Sequence, residues 1–326
     1  ETLQPLVDQA RQGRLALLTV KLADPSGYGR IVRNELGQVC RIVEEKDATS
    51  AERTLREVNT GILAVSTARL RGWVAELNNV NAQGEYYLTD IVALAVRDGV
   101  LIEAFIAPEA AEVQGVNDRR QLAELERFYQ RRQAELLLDH GATLLDPARV
   151  EVRGEVTTGK DVVIDVNVIF EGVVQLGNRV RIGPFCVLKD AVIGDDVEIF
   201  SHSRIEGAAV GPGSQIGPFA RLRPGSRLAA GVHIGNFVET KKTIIGPGSK
   251  VNHLSYLGDA AIGAGVNVGA GTITCNYDGA NKHQTVIDDG AFIGSNSSLV
   301  APVRTGKGAT VGAGSAVGRD VPDGSL

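Results

Sequence analysis

Positions 250–258 read KVNHLSYLG. His253 in that stretch carries an imidazole, whose unperturbed pKa near 6.5 suits proton acceptance around neutrality. Tyr256, three residues on, adds a hydroxyl donor. Arg223, in RLRPGS, and Lys241, in ETKK, offer a planar fork and a point charge, both fit for a phosphate. Glu239, two residues before Lys241, is in range to orient or polarise the imidazole, and Asn267 can bind the same substrate. Taken singly, a loop histidine or a surface cation is commonly just solvated. The stretch GAGTITCNYDG (269–279) sets small residues, which let a ligand approach the backbone, beside the polar Asn276 and Tyr277.

What places these residues together is a period of six. Aliphatic or aromatic side chains recur at Ile164, Phe170, Leu176, Ile182 and Leu188. One residue is skipped, then Ile193, Ile199 and Ile205 follow; another skip leads to Val210, Ile216, Leu222, Leu228 and Ile234. The series returns at Ile245, Val251, Leu257, Ile262 and Val268, then at Ile287, Ile293, Leu299, Val311 and Val317. A helix repeats at three or four and a half-buried strand at two, so the period predicts a parallel β-helix of hexapeptide repeats, three hexads to a coil. Stacked coils then bury one aliphatic column. Arg223 and Lys241 are eighteen residues apart, one coil on this reading. The hexads lapse between Val268 and Ile287, so CNYDGANKHQT is expected to leave the coil as a loop.

Residues 1–117 have no such period. The pattern predicts buried strands over 15–22 and 58–66 and a hairpin over 27–44 turning at Glu35-Leu36-Gly37. It predicts helices over 67–77 and 86–99, with Trp73 in the core. Residues 118–145 are a linker dominated by one charged helix, capped by Asp118 and stopped at Gly141, with Leu122, Leu125, Phe128 and Leu136 as its apolar stripe. The β-helix takes 146–326. A net charge of −5 gives no reason to expect nucleic acid as a partner. The three cysteines are far apart, which argues against structural disulfides, and no apolar run reaches the ~18 residues that span a membrane.

The motifs FARLRPGS, GNFVETKK, HLSYLGDA, GAGTITCNYDGANK and FIGSNSSLVAPV, with GYGRI, VEEKDAT, VNTGI, GEYYLTD and EVQGVN upstream, closely resemble one family. It is the bacterial bifunctional N-acetylglucosamine-1-phosphate uridylyltransferase/glucosamine-1-phosphate acetyltransferases. The resemblance implies a partial, Rossmann-like α/β nucleotidyltransferase domain followed by a left-handed β-helix. It implies a cytoplasmic homotrimer with acetyl-transfer sites between subunits, serving cell-envelope (peptidoglycan and lipopolysaccharide) synthesis. By the same resemblance His253 is the base, and Arg223, Lys241, Tyr256, Asn267 and Lys282 bind the sugar phosphate. Ala270, Asn276, Tyr277, Ser295 and Ala313 take acetyl-CoA, Ser295 at the thioester. Gly29, Glu44, Asn59 and Asn117 match positions that hold the N-acetyl sugar and, for Asn117, Mg2+.

The family's first half opens with a Gly-rich nucleotide loop and a metal-binding Gly-Asp segment, and its second half ends in a basic tail. This chain opens at ETLQPLVDQARQGR and stops at Leu326. The expectation is a fragment, or the ordered part of a longer chain, with nucleotidyl transfer lost and acetyl transfer weakened. Three rivals stand beside this reading. A hexapeptide-repeat acyltransferase with another amine acceptor would need no phosphate cations. A zinc enzyme on the same scaffold would need a converging triad, for which His202, His233 and His253 are the histidines on offer. A purely structural coil would show no activity.

Overall fold

The computed structural model describes residues 2–116 and 118–326. The chain divides into two units, Glu1–Leu125 and Glu126–Leu326.

In the first unit, five strands form one mixed sheet in the order Val39–Val43, Arg30–Arg33, Glu57–Ala64, Leu15–Lys21, Ile102–Ile106. Only the Leu15–Lys21 and Ile102–Ile106 pair is parallel. Leu15–Lys21 sits near the middle and is buried on both faces, which is why it reads as a continuous apolar run. The expected hairpin is present, with Arg30–Arg33 antiparallel to Val39–Val43 and Gly37 at φ +77° in its turn. The helix Thr67–Glu76 carries the buried Trp73, whose indole N–H donates to Asp98 at 2.8 Å. The second expected helix is shorter than its pattern, because a 3-10 turn at Leu88–Asp90 precedes Ile91–Arg97.

In the second unit, a ten-stranded and a sixteen-stranded parallel sheet enclose one buried column. Strand Val187–Ile193 turns a corner within the larger sheet, so the coil has three walls. Val163–Ile164 pairs with Arg181–Ile182 and that with Glu198–Ile199, each pair one coil apart. The named hexad residues are buried, Val317 at the coil's end only partly. The lapses in the hexads are not lapses in the wall. Thr240 is in register with Leu222 and Leu257, Thr274 with Leu299, and Thr305 with Ile287, and all three threonines are buried. A threonine has valine's branched shape; the Thr274 hydroxyl accepts from the Gly258 N–H at 2.8 Å and the Thr240 hydroxyl lies 2.9 Å from that of Ser226, while the buried Thr305 hydroxyl has no partner among the described residues.

The charged helix spans Arg119–Asp139, and Asp118 caps it by accepting from the Arg120 and Gln121 N–H groups at 2.8 and 2.9 Å. Its apolar stripe differs from the expected one. Leu122 and Leu136 are exposed, and the buried face is Gln130, Ala134 and Leu137, spaced four and three. Gln130 explains the difference: its side chain accepts from the Val152 N–H at 2.8 Å and donates to the Val152 carbonyl at 3.1 Å. A polar residue thus occupies the centre of the packed face by pairing with the first coil's free backbone.

Candidate active site

The coil's corners set the site. Asn236 is in register with His253 on the next coil. Above it the N–H groups of Gly271, Asn296 and Gly314 donate to the carbonyls of His253, Ala270 and Ser295 at 3.2, 2.7 and 2.7 Å. One corner therefore carries Asn236, His253, Ala270, Ser295 and Ala313 on consecutive coils. The position after it runs Phe237, Leu254, Gly271, Asn296 and Gly314, each with a positive φ. Below His253 this second line is bulky: Phe185, His202, Phe219 and Phe237 stack with ring centroids 4.9, 4.8 and 5.4 Å apart. Above Leu254 it shrinks to glycine and asparagine. Gly269 and Gly271 are coil corners; a Cβ on Gly269 would lie 2.5 Å from the Ser295 nitrogen. The corner thus opens, beside the imidazole, into a line of small side chains and backbone groups.

His253 is exposed, and its Nδ1 lies 2.9 Å from the Asn236 Oδ1. Glu239 is not its partner. That carboxylate accepts from Arg223 at 2.7 Å. Asn236 went unnoticed in the sequence, although the skip in the hexads makes this coil seventeen residues long, and 253 less 17 is 236.

On the adjoining wall, strand Arg221–Leu222 pairs with Glu239–Lys241 and that with Tyr256–Gly258. Arg223 and Lys241 follow each other up this wall, as their eighteen-residue spacing predicts. The Lys241 ammonium is held below its ordinary pKa first by the Lys282 amine beside it, then by loss of water and by Arg223, with Asp259 opposing. Arg223, Lys241 and Lys282 are thus one cluster of cations. Tyr256 reaches the same place: a Cβ on Gly258 would fall 2.4 Å from the Tyr256 hydroxyl and 2.8 Å from the Asn276 amide nitrogen. Asn267 does not join this cluster; it lies on the ten-stranded sheet, in register with Lys250 and Phe292.

The loop is shorter than the hexads imply. Ile273–Cys275 and Thr285–Ile287 are wall strands, so only 276–284 leave the coil. Asn276 is 8% exposed and donates to the Asp259 carboxylate at 2.5 Å, while the Thr285 N–H donates to the Asp259 carbonyl at 3.2 Å. Asp259 therefore holds both ends of the loop. Tyr277 is exposed, donates to the Gly279 carbonyl at 2.6 Å and bridges Lys282 across the loop. Asp278 accepts from the Asn281 and Ala280 N–H groups at 2.6 and 2.8 Å and pairs with His283 Nε2 at 2.7 Å. Those contacts, the amides first, hold its carboxyl far below the usual carboxylate range.

In the α/β unit, Gly29, Glu44 and Asn59 come together. The Asn59 N–H donates to the Gly29 carbonyl at 2.8 Å, and a Cβ on Gly29 would sit 3.3 Å from the Glu44 carboxylate. Thr89 steadies Glu44 with a hydroxyl at 2.9 Å. Asn117 lies outside the described residues. Among the described residues no three carboxylate, imidazole or thiol side chains converge as a metal site would require.

A relative from Marinobacter nauticus, Bifunctional protein GlmU, is 62% identical over 326 residues, covering 100% of this chain and 72% of its own length. The protein of that name from Methylococcus capsulatus is 63% identical over 327 residues, covering 100% of this chain and 71% of its own. The chain belongs to the GlmU family. The model of the GMPPB C-terminal domain matches residues 152–252. A solved UDP-N-acetylglucosamine acyltransferase from Campylobacter jejuni aligns at 19% identity and TM-score 0.38, over 46% of this GlmU-family chain and 65% of that one, too loose a likeness to build on. No helix among the described residues is long and apolar enough to cross a membrane.

Proposed function

We propose that this GlmU-family chain moves the acetyl group of acetyl-CoA to the 2-amino group of glucosamine 1-phosphate. The observation that carries the reading is the convergence of Arg223, Lys241 and Lys282, whose mutual repulsion a phosphate dianion relieves. The amine must lose a proton as it attacks the thioester carbonyl. His253 takes it at Nε2, since Nδ1 is turned to Asn236. The C–S bond then breaks, and the departing thiolate is protonated. Ser295, one coil above Ala270 on the corner of His253, donates its hydroxyl to the carbonyl oxygen as charge develops there. Ala270, Ala313 and the glycines between them leave room for the pantetheine chain, while Tyr256 and Asn267 bind the sugar. Asn276 and Tyr277 shape the coenzyme side of the loop. Steady-state assays of Arg223→Ala test this: loss of a charge-assisted bond predicts a KM for the sugar phosphate raised about 10–100-fold, with acetyl-CoA binding retained. Unchanged KM would remove the phosphate grip.

The reading includes a second reaction, transfer of a uridylyl group from UTP to the acetylated product for UDP-N-acetylglucosamine and envelope synthesis. Gly29, Glu44 and Asn59 are supplied for its N-acetyl sugar. Mg2+, if held with Asn117, would neutralise the triphosphate; none of the described clusters adds ligands to it. A cytoplasmic homotrimer with acetyl-transfer sites between subunits completes the proposal. The exposed ring ladder supports it, because Phe185, Phe219 and Phe237 are each about half exposed along one line, an apolar stripe that a neighbouring subunit would take out of water.

A further inference from the structure

The His253 ring faces a neutral amide where a carboxylate is the commoner partner. Asn236 Oδ1 and His253 Nδ1 are 2.9 Å apart. The pair is built into the coil: the residues are in register, and the Leu254 N–H donates to the Asn236 carbonyl at 3.1 Å. Asn236 is half-buried, so its side chain is confined on the wall side. Glu239, three residues after Asn236, is engaged by Arg223, and Asp259, six residues after His253, by Asn276. An amide oxygen can only accept a hydrogen bond. Nδ1 must then carry the hydrogen, which leaves the Nε2 lone pair free.

We infer that Asn236 is a positioning residue for acetyl transfer, fixing His253 as the Nδ1–H tautomer with Nε2 as proton acceptor. The inference rests on His253 being the base. A neutral partner fixes the ring without stabilising its cation as a carboxylate does. The imidazole therefore accepts the amine proton and gives it up again readily, with the coenzyme thiolate as its natural acceptor. No proton is left over: one leaves nitrogen, rests on Nε2 and ends on sulfur.

The test uses the full chain with Asn236→Ala, Asn236→Asp and His253→Ala. Asn236→Ala is expected to lower kcat about 10–100-fold, the usual cost of losing an orienting partner, with KM for both substrates unchanged. Asn236→Asp, nearly isosteric, is expected to keep the fold and to move the acid limb of kcat/KM upward by about one pH unit or more. Nitrogen NMR of the native protein should show His253 protonated at Nδ1, and Asn236→Ala should shift it toward Nε2–H. An Asn236→Ala enzyme within twofold of native kcat, an unmoved acid limb in Asn236→Asp, or a native Nε2–H tautomer overturns the inference. If His253→Ala is inactive while Asn236→Ala is not, this inference alone falls. If His253→Ala stays active, the base assignment falls with it, whatever tautomer the NMR records.

Discussion

In the β-helix, Asn236 meets His253 because seventeen residues of chain make one circuit and return beside themselves. In the α/β unit, Gly29 meets Glu44 across the open end of a hairpin and Asn59 across the next strand of the sheet. The coil converts sequence spacing into spatial neighbourhood by addition, so a column of functional groups can be read along the chain. The sheet makes no such conversion, and its neighbours depend on which strands happen to pair. A coil also shares load: each rung contacts chiefly the ones above and below, so damage at one level should stay local.

The largest expected effect lies on the corner. His253→Ala should lower kcat about 10²–10⁴-fold with little change in either KM, as loss of a general base does; a change confined to KM would take the base from this column. Next come glycines in the two settings. A Cβ on Gly235 would lie 1.9 Å from the Asn252 carbonyl oxygen of the coil above, backbone that cannot step aside. Gly235→Ala should destabilise the coil by about 1–3 kcal/mol in denaturant unfolding. Gly37→Ala meets nothing within 4 Å, and pays only for its φ of +77°, about 1 kcal/mol. Equal costs would erase the contrast between stacked rungs and an open turn.

A smaller effect concerns the loop. Asp278 has a lowered folded pKa, so its contribution is fully present above the ordinary carboxylate value of about 4 and is lost only as pH falls toward the lowered value. Amide exchange at Ala280 and Asn281 should stay slow at pH 4 and speed up in Asp278→Asn; exchange that accelerates already between pH 7 and 5 would contradict this. The smallest effect is an absence of reaction. Burial pushes the Cys186 thiol up to about 11, whereas Cys40 in the α/β unit is half-buried. Iodoacetamide at pH 8 should leave Cys186 unmodified, with about a thousandth of it ionised, while Cys40 reacts; early labelling of Cys186 would show the coil opening.

How much of this could be read beforehand follows from the same contrast. The hexads disclosed the walls, and the Arg223–Lys241 spacing disclosed one side of the cation cluster. The count stumbled at Thr240, Thr274 and Thr305, because a hydroxyl marks them polar while their shape fills a valine's place. That error lengthened the expected loop into the wall strands Ile273–Cys275 and Thr285–Ile287. Glu239 looked like the partner of His253 because carboxylates usually serve imidazoles, yet its neighbour one coil down, Arg223, claims it. Lys282 could be placed only through the resemblance, since a loop departs from the period. The helix stripe failed for a related reason: Gln130 is polar in composition and buried in fact.

That glutamine has a wider meaning. A tower of interchangeable storeys presents, at its lowest floor, the same unpaired peptide groups that every floor offers the next, and nothing in the repeat forbids another molecule from docking there and extending it into a filament. By answering the Val152 N–H and carbonyl with one side-chain amide, Gln130 imitates the missing storey at that point of the floor.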